Sequence, residues 1–255
     1  MTLFRHAKFE ISVARTEDMP PSHAPEIAFA GRSNAGKSSA INTLVQHNRL
    51  AFVSKTPGRT QLINVFRMTN GAALVDLPGY GYAKVPDAVR RDWIRLLENY
   101  LTRRENLIGL VLIMDARHPL KDLDRQMLNW FAMTGRPIHV LLSKCDKLTR
   151  SEAARTLAKV REELMAWADD AQSKISVQLF SSLKKLGMSE AEKAVGAWMG
   201  RTWNSEEEVP HGATGEPLTA SETPTRKAPN QAPKRVPKKA TPQATPRKRV
   251  RKSVD

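Results

Sequence analysis

A glycine-rich segment near the amino terminus combines the residue types that hold a phosphate group. It reads Gly31, Arg32, Ser33, Asn34, Ala35, Gly36, Lys37 and Ser38, which is the pattern GxxxxGK followed by Ser or Thr. In such a loop, backbone N–H groups surround phosphate oxygens, and glycine permits positive φ or close approach. Lys37 would place a charge on the terminal phosphates, and the Ser38 hydroxyl would ligate Mg²⁺. A strand-like run before the motif and a helical pattern after it argue against a chance match.

A second candidate segment supplies a carboxylate and a glycine amide. It reads Asp76, Leu77, Pro78 and Gly79, and it follows a predicted strand. A carboxylate at a strand tip reaches Mg²⁺ through water, and a glycine amide beside it can sense a γ-phosphate. Turns with Asp and Gly are common, so the pattern alone is weak. Its position after the third core strand makes it informative.

A third group of residues points to guanine. Another predicted strand delivers Ser143, Lys144, Cys145 and Asp146 to the same sheet edge, and the next strand ends in Phe180, Ser181 and Ser182. A carboxylate accepts hydrogen bonds from guanine N1–H and its exocyclic amine, which adenine does not offer there. Asp146 would therefore select GTP over ATP, while the stem of Lys144 covers the base and the backbone after Phe180 meets guanine O6. The alternatives are that Asp146 only caps the next helix, or that the chain is a P-loop ATPase or kinase.

The elements that must position these residues alternate along the chain. Strands are predicted at residues 27–30, 62–68, 73–75, 107–115, 138–142 and 175–180, with a seventh at 9–14 on the sheet edge. Helices are predicted at residues 37–47, 87–103, 122–134, 151–168 and 188–200. We interpret their apolar residues, including Trp130, Trp167 and Trp198, as core. The alternation indicates an α/β fold with a mostly parallel sheet, whose carboxyl edge would gather the loops into one crevice.

Together the motifs resemble a translation-factor-type small GTPase, and specifically the bacterial EngB family. The resemblance rests on GRSNAGKS, DLPG, SKCD and FSSLKK, and it is strengthened by KTPGRTQLIN at residues 55–64 and DLPGYGY at residues 76–82. It covers about residues 5–201. It implies a three-layer P-loop GTPase fold, the G domain, with a six- or seven-stranded sheet. We place this domain at residues 1–203.

The segment between the first helix and the next strand contains Thr56 and Thr60. One of them should close over Mg²⁺ when a γ-phosphate is present, and spacing alone does not choose between them. The resemblance favours Thr60 as the metal ligand and, with Lys37, as a catalytic residue. It further implies nucleotide contacts from Gly58, Arg59, Thr60, Gln61 and Leu62. Loss of the γ-phosphate would release this loop and the loop at residues 79–87. Such a change between two states of the loops would act as a switch.

The sequence shows no general base for hydrolysis. Tyr80 follows Gly79, at the position where Ras-like proteins hold a glutamine. Phosphoryl transfer depends mainly on positioning and charge neutralisation, so we expect slow intrinsic hydrolysis. One hypothesis is that Asn34 helps to bind K⁺ at the arginine-finger position; the alternative is an ordinary polar loop residue, and equal turnover in KCl and NaCl would exclude the ion. The general GTPase pattern has Asn in place of Ser143, and we expect this change to lose one hydrogen bond to the phosphate loop.

Positive charge is concentrated at the carboxyl end. The chain has 41 Lys and Arg against 26 Asp and Glu, and residues 223–255 hold eleven of the former but one acid. This Pro-rich stretch lacks aromatic residues, so we expect a disordered basic tail over residues 204–255. It would bind nucleic-acid phosphates without reading sequence, unless it only keeps the protein in solution. A single cysteine excludes a disulfide framework. No apolar run approaches the roughly 18 residues of a membrane span, and we expect a cytoplasmic monomer.

The resemblance also implies a biological role. Proteins of this kind act in assembly of the large ribosomal subunit and are needed for normal cell division and septation, with that subunit or rRNA as the partner of the G domain and tail. The alternative is a GTP-controlled binding module that acts on a division protein or another protein partner without a ribosomal role. Co-sedimentation with large-subunit particles, lost on GDP exchange or tail deletion, would separate the two.

Overall fold

A seven-stranded sheet forms the centre of the described part of the chain. The computed structural model describes residues 4, 6–21, 23–51, 62–81, 87–171 and 174–202 of the chain. The strands in this part are β1 (Lys8–Val13), β2 (Glu26–Gly31), β3 (Ile63–Arg67), β4 (Ala73–Asp76), β5 (Leu107–Asp115), β6 (Ile138–Ser143) and β7 (Ile175–Leu179). Their order across the sheet is β1-β3-β4-β2-β5-β6-β7. The pairs β1–β3 and β3–β4 are antiparallel, and the other pairs are parallel.

Helices cover both faces of this sheet. In the described ranges they are α1 (Lys37–Leu44), α2 (Asp87–Arg103), α3 (Asp122–Ala132), α4 (Arg150–Ala171) and α5 (Met188–Thr202). One apolar cluster contains residues of α2, α3 and α4, and the other contains residues of α1 and α5. Parallel strands require such crossovers, so the protein has three layers. None of the helices described is long and apolar enough to cross a bilayer.

The central strands are apolar because both of their sides are covered. All six residues of β2 are buried. Ala28 and Ala30 belong to one apolar cluster, whereas Ile27 and Phe29 belong to the other. This alternation follows from the two-residue period of a strand. It fixes the position of the loop that follows Gly31.

A buried polar cluster holds the amino end of β2 against α2. Arg104 donates to both carboxylate oxygens of Glu26, at 2.6 to 3.1 Å, and the Tyr100 hydroxyl donates to the same carboxylate at 3.0 Å. Glu26 is 1% exposed and Tyr100 is fully buried. The cluster lies at the sheet edge opposite to the carboxyl ends of the parallel strands.

The predicted fold class is confirmed, and each predicted strand and helix is present with ends that shift by up to three residues. The interpretation of three tryptophans as core is only partly right. Trp130, Trp167 and Trp198 are half-buried, and the last two pack against the apolar clusters from outside. The domain boundary at residue 203 and the tail fall outside the described residues.

Candidate functional site

The phosphate-loop motif connects β2 directly to α1. Gly36 has a φ of 100° and Asn34 a φ of 62°, so the loop depends on left-handed backbone conformations that glycine adopts at no steric cost. Gly31 is required for a different reason, since a Cβ there would lie 2.7 Å from the Ile113 carbonyl oxygen in β5. Lys37 is the first residue of α1. The loop and the helix amino terminus therefore present their N–H groups at the carboxyl edge of the sheet.

The predicted metal-binding carboxylate lies beside the phosphate-loop lysine. Asp76 ends β4, and its Oδ1 accepts a hydrogen bond from Lys37 Nζ. The two side chains are only 6% and 10% exposed. A buried carboxylate and ammonium need each other as partners, because an unpaired charge is costly at this burial. Ser38, the predicted second metal ligand, follows Lys37 on α1.

The segment after Asp76 runs alongside the phosphate loop. The Leu77 amide donates to the Phe29 carbonyl at 3.0 Å, which extends the pairing of β4 with β2. A Cβ on Gly79 would lie 3.4 Å from the Ser33 hydroxyl. That hydroxyl is buried and has no hydrogen-bond partner among the described residues. An orphaned buried hydroxyl next to the Gly79 backbone fits a site in which an additional acceptor, such as a phosphate oxygen, binds.

The third loop, after β6, is tied to the phosphate loop by two side chains. The Ser143 hydroxyl donates to the Ala35 carbonyl, and Lys144 Nζ donates to the Asn34 carbonyl. Lys144 also donates to Asp115 Oδ2 at 3.0 Å. The expectation that Ser143 loses a hydrogen bond to the phosphate loop is therefore wrong. A serine hydroxyl is long enough here, because the end of β6 brings the two backbones close together.

The predicted guanine carboxylate is held by the fourth loop. Ser181 Oγ donates to Asp146 Oδ1 at 2.5 Å, and the Lys184 amide donates to the same Ser181 oxygen at 3.1 Å. The Cys145 amide donates to the Phe180 carbonyl at 3.2 Å, so the backbones after β6 and β7 are joined as well. The Asp146 side chain is 9% exposed. Its orientation is therefore fixed by protein contacts.

Electrostatics at this sheet edge keep the Asp115 carboxyl ionised and the Cys145 thiol protonated. Burial alone would raise the pKa of Asp115, but hydrogen bonds from Arg117 and Lys144 outweigh it and place the pKa well below the usual range. Burial and the nearby Asp146 charge raise the pKa of the Cys145 thiol. A protonated, buried thiol has little nucleophilic character, which agrees with the interpretation of Cys145 as a small filling residue.

Three of the four predicted groups of site residues lie together in full: the phosphate loop, residues 76–79 and the guanine-binding residues. Part of the fourth group, the segment with Thr56 and Thr60, lies outside the described residues. The residues at the common edge are Gly31, Arg32, Ser33, Asn34, Ala35, Gly36, Lys37, Ser38, Asp76, Leu77, Pro78, Gly79, Ser143, Lys144, Cys145, Asp146, Phe180, Ser181 and Ser182. Gly58, Arg59, Thr60 and Gln61 lie outside the described residues, as does Thr56, and Leu62 lies half-buried just before β3.

Sequence reasoning missed one residue of this edge, Asp115. It ends β5, pairs with Lys144 and accepts hydrogen bonds from the Arg117 backbone and side chain. The signal was available, because the predicted strand ended at this residue and parallel strands present their carboxyl ends at one edge. Asp124, which binds the Tyr80 hydroxyl, carried no such signal because it lies on a helix.

Comparisons with known proteins agree with this geometry. A family model described as "50S ribosome-binding GTPase" matches residues 26–144. A probable GTP-binding protein EngB of Aromatoleum aromaticum is 68% identical over 200 residues, which are 78% of this chain and 91% of that protein. The protein of the same name from an Azoarcus species is 63% identical over 216 residues, covering 85% of this chain and 98% of its relative.

Solved structures share the fold at lower sequence identity. A crystal structure of a probable GTP-binding protein engB has a TM-score of 0.55 and 20% identity, and the match covers 69% of this chain and 99% of that one. Era of Aquifex aeolicus, bound to GDP and aluminium fluoride, has a TM-score of 0.54 and 19% identity over 69% of this chain and 56% of its own.

The sheet order, the three layers and the strand–loop–helix motif define a P-loop GTPase domain. Within this class, relatives at 60–68% identity cover more than three quarters of the chain. The chain belongs to the EngB family of GTP-binding proteins.

Proposed function

We propose that this protein binds GTP with Mg²⁺, hydrolyses it slowly and uses its two nucleotide states as a switch. The observation that carries the proposal is the junction of four loops at one sheet edge. Ser143 and Lys144 bind the phosphate loop, and Ser181 binds Asp146. The crevice is lined by residues that would bind phosphate and by residues that would bind a base. A preformed crevice of this kind matches the nucleotide sites of open α/β sheets. Membership of a GTP-binding family supports it.

The phosphate groups of the nucleotide would bind the amino terminus of α1. Backbone N–H groups of the loop and the helix dipole attract the negative charge. Lys37 would contact the terminal phosphates, in competition with its present partner Asp76. The Ser33 hydroxyl, which is buried and has no hydrogen-bond partner in the part of the chain that the structure describes, gives a further donor next to Gly79.

The oxygen donors at this edge fit Mg²⁺. The ion prefers hydroxyl, carboxylate and water oxygens. Ser38 would bind it directly and Asp76 through water, and family resemblance adds Thr60. When bound, Mg²⁺ would neutralise charge on the β- and γ-phosphates. Era, which shares the fold, has been solved with Mg-GDPNP.

Guanine would be recognised by Asp146. Its carboxylate is oriented by Ser181 and retains lone pairs for guanine N1–H and the exocyclic amine. Lys144 is held between the phosphate loop and Asp115, which places its stem along the crevice. An adenine base would leave the Asp146 charge without donors, and this cost would exclude ATP.

Hydrolysis would rely on positioning rather than on a general base. Tyr80 is 1% exposed and donates its hydroxyl to Asp124, so it does not orient an attacking water. Lys37 and the metal ion would neutralise charge in the transition state, which is the main catalytic requirement of this reaction. Asn34 has an exposed side chain at the rim of the loop. Our hypothesis for Asn34 is that it helps to bind a K⁺ ion, whose positive charge would add to that of Lys37 and the metal ion.

The test is nucleotide binding by Asp146→Asn. We expect the wild type to bind fluorescent GDP and GTP but not ATP. The variant should bind guanine nucleotides about a hundredfold more weakly, since one charged hydrogen-bond partner is lost. It should gain affinity for xanthosine nucleotides, whose C2 carbonyl accepts from the new amide. The matched control is Asp122→Asn, because Asp122 is an exposed carboxylate at the start of α3. ATP binding that is unaffected by Asp146→Asn would overturn the proposal.

We further propose that the switch acts in the cytoplasm, as a monomer, on the large ribosomal subunit, and that it is needed for normal cell division and septation. The description of the family model as a 50S ribosome-binding GTPase and the basic segment at residues 223–255 support this part. Co-sedimentation of the full chain with purified large subunits, compared between GDP and a GTP analogue, tests it. Absence of nucleotide-dependent co-sedimentation would favour a switch that acts on a protein partner.

A further inference from the structure

The backbone of Tyr80 is paired with the phosphate loop. The Ser33 amide donates to the Tyr80 carbonyl at 2.7 Å, and the Tyr80 amide donates to the Gly31 carbonyl at 3.3 Å. Arg32 and Tyr80 thus form a parallel β-bridge beyond the end of the regular sheet. Gly79 precedes this bridge and lies next to Ser33. Any movement of Tyr80 would therefore move the Gly79 amide relative to the phosphate loop.

The side chain of Tyr80 is anchored to α3. Its hydroxyl donates to Asp124 Oδ1 at 2.7 Å. The second carboxylate oxygen of Asp124 accepts from the Lys121 amide at 3.0 Å, where it caps the amino end of α3. Tyr80 and Asp124 are each 1% exposed. The anchor therefore consists of two buried polar side chains joined to a rigid helix.

Retaining a buried acid at this position is costly. Burial raises the pKa of Asp124 despite the hydrogen bonds from Tyr80 and the Lys121 amide. The pKa of the Tyr80 hydroxyl is likewise raised, first by burial and then by Asp124. A Phe packed against an apolar side chain would avoid this cost. A fully satisfied polar pair instead fixes a single geometry, because its partners and directions are specified.

We infer that Tyr80 and Asp124 are a positioning pair that holds Gly79 against the phosphate loop and so sets the discrimination between GTP and GDP. The inference rests on the proposed nucleotide function. The γ-phosphate is the group that GTP has and GDP lacks, and the Gly79 amide is the backbone donor next to Ser33 that would sense it. Loosening the anchor would leave the α- and β-phosphate and base contacts in place and weaken the γ-phosphate contact alone.

The molecule contains a matched control. Tyr100 is also fully buried, and its hydroxyl donates to a buried acid, Glu26, at 3.0 Å. The pKa of Tyr100 is raised first by burial and then by Glu26, as the pKa of Tyr80 is by burial and Asp124. Tyr100 lies on α2, and its partner Glu26 begins β2 at the edge of the sheet opposite the candidate site. Tyr100→Phe therefore removes the same kind of hydrogen bond without touching the loops.

The experiment measures dissociation constants of the full chain for GDP and for a non-hydrolysable GTP analogue with Mg²⁺. We expect Tyr80→Phe to lower the ratio of GTP-analogue affinity to GDP affinity about five- to tenfold, within the usual range of coupling between sites. Asp124→Ala, which removes the acceptor of the Tyr80 hydroxyl, should change the ratio in the same direction. Tyr100→Phe should leave it unchanged, although urea unfolding should show that both tyrosine variants lose stability.

Three outcomes would overturn the inference. The ratio could stay unchanged in Tyr80→Phe while urea unfolding shows a folded protein, or it could change equally in Tyr100→Phe, which would indicate a general loss of stability. If Tyr80→Phe does not fold, an unchanged ratio in a folded Asp124→Ala variant would have the same meaning. Failure of the wild type to bind either nucleotide would instead overturn the proposed function, and the inference with it.

Discussion

Single side chains decide how the loops of the candidate site meet. Ser143 and Lys144 each donate to a carbonyl of the phosphate loop, and Ser181 donates to Asp146. The motifs predicted which loops would converge, because strand order and chemistry specify that much. They did not predict these bonds between loops. A hydroxyl-to-carbonyl contact depends on backbone separations of a few ångström, which no pattern of residue types encodes.

A buried histidine gives the stability of the protein a measurable dependence on pH. His139 in β6 contacts the Ser176 hydroxyl through Nδ1 at 2.7 Å and the Gln178 amide oxygen through Nε2 at 2.8 Å. Gln178 donates in turn to the Gly187 carbonyl at 2.6 Å, just before α5. Burial lowers the pKa of His139 below its ordinary 6.5, and the hydrogen bond with Gln178 only partly opposes this.

The sign of the effect follows from proton binding. The folded chain binds a proton at His139 more weakly than the unfolded chain does, so stability is full above a pH of about 6.5 and is lost as the pH falls below it. We expect the free energy of unfolding to decline there by at most about 1.4 kcal/mol per pH unit. Urea unfolding between pH 5 and 8 measures the slope. His139→Gln should flatten it, and equal slopes in the two proteins would contradict this.

At the scale of elements, the packing of α5 on β5 depends on a glycine. A Cβ on Gly109 would lie 2.4 Å from the Trp198 ring, so the strand accepts the indole only because no side chain is present. We expect Gly109→Ala to cost about 1–3 kcal/mol of stability through overpacking. Urea unfolding of the single variant and of Gly109→Ala in a Trp198→Leu background measures the coupling, and the cost should be smaller in the second protein.

The control for this prediction lies on α5 itself. Apart from its chain neighbours and the backbone of its own helix, a Cβ on Gly200 would meet no atom of the described residues within 4 Å. Gly200→Ala should therefore raise stability by up to about 1 kcal/mol, through helix propensity. If Gly109→Ala were as harmless as this change, the packing argument would be wrong.

At the same scale, the largest errors of the sequence prediction are three residues, at the ends of α1 and α4, and the structure explains the error in α1. The prediction extended it to residue 47, but it ends at Leu44. The Gln46 amide donates to the Thr43 carbonyl and the His47 amide to the Asn42 carbonyl, with Gln46 at a φ of 54°. This is the Schellman arrangement, which usually carries glycine at the left-handed position. Gln46 gave no such signal, whereas both ends of each strand, with its strong apolar run, were predicted to within one residue.

For the whole molecule, topology was more predictable than partners. The alternation of elements and the motif positions gave the layers and the shared carboxyl edge, because parallel strands with crossover helices allow few arrangements. The same patterns do not indicate which partners, other than a nucleotide, the protein binds. The clue at this scale is charge, since residues 223–255 carry eleven basic residues and one acid. Charge without aromatic residues predicts contact with phosphates and no reading of bases.

Under the proposed function, the basic tail should therefore control how salt affects binding to the large ribosomal subunit. Each phosphate contact releases counterions, so affinity falls with salt at a slope of roughly 0.7 to 0.9 per contact. Changing Arg247, Lys248, Arg249, Arg251 and Lys252 to Gln should make the slope shallower by up to about four, while nucleotide affinity stays the same. Co-sedimentation across a salt series measures the slope. If it does not change, the tail serves solubility, and any ribosomal contact belongs to the G domain.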